Sequence, residues 1–312
     1  MKENFFEIIL ITYNRKPYLE NTLKEILAEN SPVKNFPFTV LDNCCTDGSS
    51  ELLQDYARRL PNLKHIRHAK NIGGGGNIAR ALETAKATYA WIICDDDSYN
   101  WAAWPEIAAV METEEYDIIL TRKDDLKGGE DIAKIMRQLT FLPAAIYKTS
   151  NITGGVLQNA LTNIPNWFPH LALGCEVLNK KGKFYICKQE MLGQDISRNV
   201  TPWGKPTDNV KPHPFAANIF WTVGYLNSLR MINDKKLRTH VIDNIGKHGF
   251  LSSIYRRFYP NKTRYKSNAL NVYYVLCAVN FRQKIEFCIA LILMDIVYFF
   301  QSTAGLFRNK KG

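Results

Sequence analysis

The chain has 312 residues, 46% of them hydrophobic, and a formal net charge of +10. This length allows one large domain or two smaller ones, and seven irregularly spaced cysteines argue against a disulfide framework or a zinc site. Glu3 and Glu7 stand where a signal peptide would need a basic and then an apolar segment, so we expect no such peptide. Residues 1–150 carry a net charge of −4 and residues 151–312 carry +14, which suggests an anionic surface as a partner for the second half.

Predicted strands and helices alternate through the first hundred residues. Apolar segments predict strands over residues 5–12, 37–42, 63–68 and 89–95. Helical patterns between them predict helices over residues 17–29, 50–60 and 76–87. This order predicts an α/β fold with a mostly parallel sheet, right-handed crossovers and helices on both faces. In such a sheet the carboxyl ends of the strands face one crevice, where ligands bind.

Polar motifs follow the first two predicted strands. In TYNR (residues 12–15), Thr12 and the backbone could frame a flat base. In DNCCTDGS (residues 42–49), Asp42 could accept hydrogen bonds from a base or a ribose, whereas Asp47 is assigned to a turn. Either motif alone could be an ordinary loop.

A glycine-rich motif, NIGGGGN (residues 71–77), follows the third predicted strand and opens a helix. Glycines allow close approach of a ligand or of another backbone segment, and a helix N-terminus favours phosphate. The motif is not the dinucleotide fingerprint, because Ile78 stands where the last glycine belongs. Arg80, one turn into the helix, could reach a phosphate or lie on the surface.

Three aspartates, Asp95, Asp96 and Asp97, close the fourth predicted strand. Alternation along a strand would send Asp95 and Asp97 to the same side, where they could serve a ribose hydroxyl and a divalent cation. Oxygen ligands favour Mg²⁺ or Mn²⁺, and three adjacent carboxylates need a counter-ion. The alternative is an acidic turn with solvated side chains. The sequence predicts a metal site with Asp97 as the first ligand and Asp95 as the second.

The C-terminal part of the chain is basic and apolar. Helices are predicted over residues 215–232, 236–248, 268–281 and 285–300. The last of these has 16 residues and includes Glu286 and Asp295, so it is shorter than the ~20 apolar residues that a membrane span needs. It could lie in the membrane interface, or it could be a buried core or dimer helix.

The four motifs together resemble those of the family-2 glycosyltransferases, which have the GT-A fold. The order and spacing of Thr12–Arg15, Asp42–Gly48, Asn71–Arg80 and Asp95–Asp97 match the family over about the first hundred residues. The resemblance implies an inverting transfer of a sugar from a nucleotide-diphosphate donor, with a UDP-sugar favoured, and dependence on Mn²⁺ or Mg²⁺. The residues assigned to the nucleotide are Thr12, Tyr13, Asn14, Arg15, Asp42, Asn71, Gly74, Arg80, Asp95 and Asp96.

The resemblance also implies a general base that deprotonates the acceptor hydroxyl. In the family a Glu-Asp pair opens a helix at this point, but here the helix starts near Pro169 without an acidic pair, and His170 stands at the position of the aspartate. A histidine can take a hydroxyl proton, because its ordinary pKa is near ~6.5. Glu176 and Asp195 are the competing bases, and a histidine that caps or packs the helix is the plainer interpretation.

We predict a GT-A catalytic domain over residues 1–200, with a nucleotide and metal half (1–100) and an acceptor half (101–200), followed by a helical region over 201–312. The expected acceptor is a glycan or lipid-linked glycan of cell-surface polysaccharide synthesis. The expected location is the cytoplasmic, inner face of the cell membrane, with self-association through the C-terminal helices as a further expectation. The alternatives are a nucleotidyltransferase or sugar-nucleotide synthase, and a non-catalytic protein that binds nucleic acid or a membrane. Nucleic acid is disfavoured by the acidic first half.

Overall fold

The computed structural model describes residues 4–121, 131–193, 217–245, 249–258 and 269–308. The chain divides into two compact units. The first unit comprises Met1–Asp131 and Ile135–Lys205, and the second comprises Ile132–Lys134 and Pro206–Gly312.

The described strands of the first unit form one large sheet and one small one. Their bounds are β1 Phe6–Thr12, β2 Phe38–Asp42, β3 Leu63–Arg67, β4 Tyr89–Ile93, β5 Ser98–Tyr99, β6 Ile118–Leu120, β7 Ala145–Lys148, β8 Phe184–Ile186 and β9 Leu192–Gly193. The seven-stranded sheet has the order β3-β2-β1-β4-β7-β6-β8, and β5 pairs with β9. Strands β1 to β4 are parallel, and β7 is antiparallel to both β4 and β6. The predicted mostly parallel sheet is therefore confirmed.

Four of the seven helices described within residues 4–193 correspond to predicted ones, namely those over 17–29, 50–60 and 76–87 and the one starting near Pro169. Their bounds are α1 Lys16–Ile26, α2 Ser49–Arg59, α3 Gly73–Thr84, α4 Trp104–Glu112, α5 Ile132–Gln138, α6 Gly154–Thr162 and α7 Leu171–Asn179. Helix α1 has a proline in its first turn and buries Leu19, Leu23 and Ile26, which lie on one face. Helix α3 begins three residues before the predicted start, so the glycines form its first turn.

The core of the large sheet is apolar, and three polar side chains within it are hydrogen-bonded. Tyr89 and Trp91 on β4 have no exposed surface. The Tyr89 hydroxyl donates to the Tyr116 carbonyl at 2.9 Å, and the Trp91 indole N–H donates to the Pro143 carbonyl at 2.8 Å. Glu7, the polar residue within β1, is 7% exposed and accepts a hydrogen bond from the Ala87 N–H at 2.6 Å. These bonds offset the cost of removing polar groups from water.

The second unit is helical where it is described. Its helices are α8 Ala217–Ser228, α9 Lys235–Asp243, α10 Gly249–Phe258, α11 Ala269–Ala278 and α12 Phe281–Arg308. Helix α12 starts four residues before its predicted start, because Asn280 and Gln283 form a reciprocal cap. The Gln283 N–H donates to Asn280 Oδ1 at 2.9 Å, and the Asn280 N–H donates to Gln283 Oε1 at 3.0 Å. No helix among the described residues combines the length and the hydropathy needed to cross a membrane.

Candidate active site

The strand register brings the first and fourth motifs together. Leu10 on β1 is paired with Ile93 on β4, so Thr12 and Asp95 each lie two residues beyond the same pair. The Thr12 hydroxyl donates to Asp95 Oδ2 at 2.7 Å. Thr12 is also the register partner of Asp42 on β2. The first, second and fourth motifs therefore meet at one edge of the sheet.

Arg15 forms ion pairs with two aspartates of the acidic segment. Its Nη1 lies 3.0 Å from Asp95 Oδ1, and its Nη2 lies 2.7 Å from Asp96 Oδ2. Burial raises the pKa of Asp95 to about 7, although the Arg15 charge and the Thr12 hydrogen bond oppose the rise. Burial raises the pKa of Asp97 to about 8, and the charges of Asp96 and Asp95 add to the rise. One guanidinium balances only part of the charge of three carboxylates, so the segment favours a further cation.

A group of metal-binding side chains lies at the end of β4. The ligand atoms of Cys94, Asp96 and Asp97 all lie within 4.8 Å of one another. Asp95 is outside this group, and its carboxylate is bound by Thr12 and Arg15. The prediction of Asp95 as a metal ligand assumed strand alternation, but β4 ends at Ile93 and the alternation does not extend to the aspartates. The two carboxylates of the group fit Mg²⁺ or Mn²⁺, whereas the thiol is a softer ligand.

Asp42 is fully buried, and both of its oxygens are hydrogen-bonded within the protein. Oδ1 accepts from the Cys45 N–H at 2.7 Å, and Oδ2 accepts from the Ser50 hydroxyl and lies 3.1 Å from His65 Nε2. Burial alone would raise the pKa of Asp42, but the hydrogen bonds from His65, Ser50 and Cys45 hold it below its ordinary value. In this geometry Asp42 shapes the loop after β2, and its predicted contact with a base stays a prediction.

The loops after β1 and β2 are joined by direct hydrogen bonds. Asn14 has a φ of 49° and accepts the Thr46 N–H at 2.7 Å. Asp47 accepts the Lys16 N–H at 2.8 Å and the Ser49 N–H at 3.1 Å, which agrees with the structural role expected of it. Asparagine tolerates positive φ better than most residues, so TYNR can turn sharply here. Tyr13 in this loop is half-buried.

The glycine-rich motif forms the first turn of α3 and is held by asparagines. Asn71 Oδ1 accepts from the Gly73 N–H at 2.8 Å and from Asn43 Nδ2 at 2.9 Å. A side chain added at Gly74 would meet open space, whereas one at Gly75 would lie 3.1 Å from the Ile164 carbonyl. The Arg80 guanidinium is exposed and paired with Glu83 on the same helix. Nothing in this geometry directs Arg80 toward a phosphate, so that assignment rests on the sequence alone.

His170 is enclosed by protein. It is 2% exposed, its Nε2 donates to the Leu139 carbonyl at 2.8 Å, and its ring lies against Phe168. Burial lowers the pKa of His170 to about 4. A general base must reach the hydroxyl that it deprotonates. The enclosed ring cannot do so in this geometry, and we do not carry His170 forward as the base.

The structure describes one of the two competing bases, Glu176, but not the other, Asp195. Glu176 lies within α7 and forms an ion pair with Lys180 at 2.8 Å, which gives it a local structural partner. Asp195 lies outside the described residues. Gly193, two residues earlier in the sequence, is paired with Ser98, which directly follows Asp97.

Sequence reasoning missed three side chains that shape the site. Cys94 joins the metal-binding group, Thr22 donates to the Asp95 carbonyl at 2.9 Å, and His65 holds the Asp42 carboxylate. Cys94 adjoins the aspartates in the sequence, and that position was the available signal for it. No sequence signal marked Thr22 or His65, because each is more than twenty residues away in the sequence from the aspartate that it contacts.

The family model described as "Glycosyl transferase family 2" matches residues 7–168, just over half of the chain. This chain belongs to glycosyl transferase family 2. The matched range covers all four predicted motifs in full. The family resemblance seen in the sequence is thereby confirmed.

Known proteins similar to the chain share mainly its first part. The poly(ribitol-phosphate) beta-N-acetylglucosaminyltransferase TarS of Staphylococcus aureus is 27% identical over 124 residues, which are 39% of this chain and 22% of TarS. The abequosyltransferase RfbV of Salmonella typhimurium is 34% identical over 89 residues, which are 28% of this chain and 26% of RfbV. The chain thus spans about a fifth to a quarter of the length of these curated relatives.

Solved structures of S. aureus TarS share the fold. One has a TM-score of 0.57 at 16% identity and covers 89% of this chain and 50% of the TarS chain. TarS 1-349 in complex with UDP has a TM-score of 0.56 at 18% identity and covers 89% of this chain and 82% of that chain. The expected GT-A fold with a helical C-terminal region is confirmed.

Proposed function

We propose that this protein is an inverting glycosyltransferase that moves a sugar from a nucleotide-diphosphate donor to a hydroxyl of a glycan or lipid-linked glycan. The observation that carries the proposal is the grouping at the ends of β1 and β4, where Thr12 and Arg15 bind Asp95 and Asp96 beside the buried Asp97. Such an edge of an α/β sheet is the usual place for a nucleotide.

Asp96 and Asp97 would hold a divalent cation, either Mn²⁺ or Mg²⁺. When bound, the cation offsets the charge that builds on the departing diphosphate. Thr12 and Arg15 each bind one oxygen of the Asp95 carboxylate, so both oxygens are positioned before a ligand arrives. Thr22 fixes the backbone of the same residue. These residues therefore preorganise the donor side of the site.

We propose Asp195 as the general base. The pairing of Gly193 with Ser98 brings the chain beside the acidic segment, and Asp195 follows two residues later in the sequence. Asp195 itself lies outside the described residues, so its assignment as the base rests on its position in the sequence after Gly193. A carboxylate there would take the proton of the acceptor hydroxyl, which then attacks the anomeric carbon from the face opposite the leaving diphosphate.

The names of the relatives support a surface polymer as the acceptor. TarS is named for transfer of N-acetylglucosamine to poly(ribitol-phosphate), and the Bacillus subtilis protein TuaG is named as a putative teichuronic acid biosynthesis glycosyltransferase. One solved TarS structure contains UDP. We therefore propose that the donor is a UDP-sugar and that the acceptor is a cell-surface glycan. We also propose that the protein is located on the inner face of the cell membrane. The net charge of +14 in residues 151–312 supports an anionic surface there.

Slow hydrolysis of nucleotide sugars tests the proposal. The protein is incubated with Mn²⁺ and, in separate reactions, with UDP-, GDP-, CDP- and dTDP-sugars, and the release of free nucleoside diphosphate is followed. Metal-dependent release from one nucleotide class supports the transferase, with UDP-sugars expected. Release of pyrophosphate from UTP and a sugar 1-phosphate would instead indicate a nucleotidyltransferase, and no turnover of any donor would contradict the proposal. The Asp97→Ala variant is the control, because it should abolish the release.

A further inference from the structure

Helix α12 has a buried face and an exposed apolar face. Gln283, Phe287, Ala290 and Met294 are at most 1% exposed and pack into the second unit. Phe281 and the isoleucines on the other side are between 42% and 78% exposed, at positions 281, 285, 289, 292 and 296. Their spacing of three and four residues puts them on one stripe, which we call the exposed stripe. It extends over about four turns, or ~24 Å along the helix.

A basic pocket lies at the N-terminal end of this helix. Its volume is about 830 Å³, and its lining includes Asn280, which directly precedes Phe281, and Gln283 from the buried face of the helix. The cationic side chains that line it are Arg230, Lys235, Lys236 and Arg238. The acidic lining residue, Asp243, is already bound by Arg282 at 2.5 Å and by Gln283 at 2.7 Å. Arg238 already donates to the Ile232 carbonyl at 3.1 Å. Arg230, Lys235 and Lys236 are exposed, so these three cations can meet an anion from solution.

We propose that the exposed stripe and the basic pocket form one surface that docks the protein on an anionic lipid bilayer. The stripe would enter the boundary between headgroups and acyl chains, and the pocket cations would bind lipid phosphates. This surface deepens the membrane contact of the proposed function and rests on it, because it names the residues and the lipid chemistry.

Charge complementarity favours a bilayer over a second copy of this chain. A symmetric dimer through the exposed stripe would bring the same surface of both copies together, and with it two basic pockets. The whole chain also carries a net charge of +10, which opposes close self-association. An anionic bilayer offers apolar chains and negative phosphates side by side, which matches the stripe and the pocket at once.

Vesicle flotation tests the proposal on the full chain without nucleotide. The vesicles are made of phosphatidylcholine alone or of phosphatidylcholine with phosphatidylglycerol. We expect binding to the anionic vesicles and little binding to the neutral ones. Ile292→Asp should weaken the binding by at least about tenfold, because it places a charge in the apolar boundary. The double variant Lys235→Gln/Lys236→Gln should weaken it about 25-fold, at about fivefold for each basic charge.

Leu161→Asp is the matched control. Leu161 is 57% exposed and Ile292 is 58% exposed, and both lie on helices, but Leu161 belongs to α6 in the first unit. The control should bind anionic vesicles like the unaltered protein, and the thermal melts of all variants should agree. If Ile292→Asp fails to fold, the lysine double variant tests the same surface through its charge.

Several results would overturn the proposal. They are equal loss of binding in Leu161→Asp and Ile292→Asp, equal binding to neutral and anionic vesicles, and absence of vesicle binding. A dimer by light scattering that Ile292→Asp converts to a monomer, without vesicle binding, would assign the stripe to a second copy. Because flotation needs no nucleotide, failure here would leave the hydrolysis of nucleotide sugars unchanged. Failure of that hydrolysis would in turn leave flotation unchanged.

Discussion

Replacing Asp97 with asparagine is expected to stabilise the metal-free protein, although most substitutions of buried residues destabilise. Asp97 is 2% exposed, and burial together with the charges of Asp96 and Asp95 raises its pKa from 3.8 to about 8. A carboxyl whose pKa is higher in the folded state makes folding less favourable as the pH rises from its ordinary value toward the raised one. The metal-free protein should therefore lose stability between about pH 4 and pH 8.

The size of the effect follows from the pKa of Asp97. At pH 7 the folded protein keeps this carboxyl protonated, whereas the unfolded chain ionises it. The ordinary pKa of 3.8 lies about three units below pH 7. At about 1.4 kcal/mol for each unit, ionisation in the unfolded chain destabilises the folded state by about 4 kcal/mol. The buried asparagine amide still needs hydrogen-bond partners, so we expect a net gain of about 1–3 kcal/mol in Asp97→Asn.

Thermal melts at pH 6 and pH 8, with and without Mn²⁺, measure this gain. The unaltered protein should be stabilised by Mn²⁺ more at pH 8 than at pH 6, because protons compete with the metal at the lower pH. Asp97→Asn should melt higher than the unaltered protein without metal at pH 8 and should lose most of the Mn²⁺ effect.

Asp47→Asn is the control of opposite sign. Burial would raise the pKa of Asp47, but hydrogen bonds from Ser49 and Lys16 lower it, so its ionised form stabilises the folded state. The substitution should therefore lower the melting temperature at pH 8 and leave the Mn²⁺ effect in place. If Asp97→Asn melted lower than the unaltered protein and still responded fully to Mn²⁺, the burial argument for this site would be refuted.

Three further variants separate the roles of the site residues. Arg15→Leu removes the cation from Asp95 and Asp96 and should cost about 1–3 kcal/mol in urea unfolding at pH 8; an unchanged midpoint would contradict this role. His170→Gln can keep the bond to the Leu139 carbonyl, so turnover should stay near normal; a drop of ~10²–10⁴ at unchanged melting temperature would restore His170 as the base. Asp195→Asn should lower turnover by ~10²–10⁴ at unchanged UDP affinity in calorimetry, and normal turnover would exclude it.

The parallel part of the sheet could be predicted largely because β1 and β4 are almost continuously apolar. The segment 5–12 became β1 at Phe6–Thr12, and 89–95 became β4 at Tyr89–Ile93. Strands β5 and β9 have two residues each, which is too short for any periodicity to show. The antiparallel placement of β7 between β4 and β6 depends on tertiary packing rather than on a local pattern.

The candidate site could be predicted in its composition but not in its contacts. The aspartates and Thr12 stood at strand ends, where the sheet rule puts ligands. The prediction of Asp95 as a metal ligand assumed that the strand continues through the aspartates. In the structure β4 ends at Ile93, and the apolar pattern of the sequence did not indicate that end. His170 was read from its position in the chain, but its partner Leu139 lies 31 residues away in the sequence.

Calorimetric titration with UDP tests the central assignment most directly, because it measures the nucleotide and the metal at one site. The titration is run with Mn²⁺, with excess chelator, and with Asp97→Ala in the presence of Mn²⁺. We predict binding in the first titration and a loss of most of the affinity in the other two. Equal UDP affinity in all three titrations, or no binding of UDP with Mn²⁺ present, would contradict a metal-assisted nucleotide site at the ends of β1 and β4.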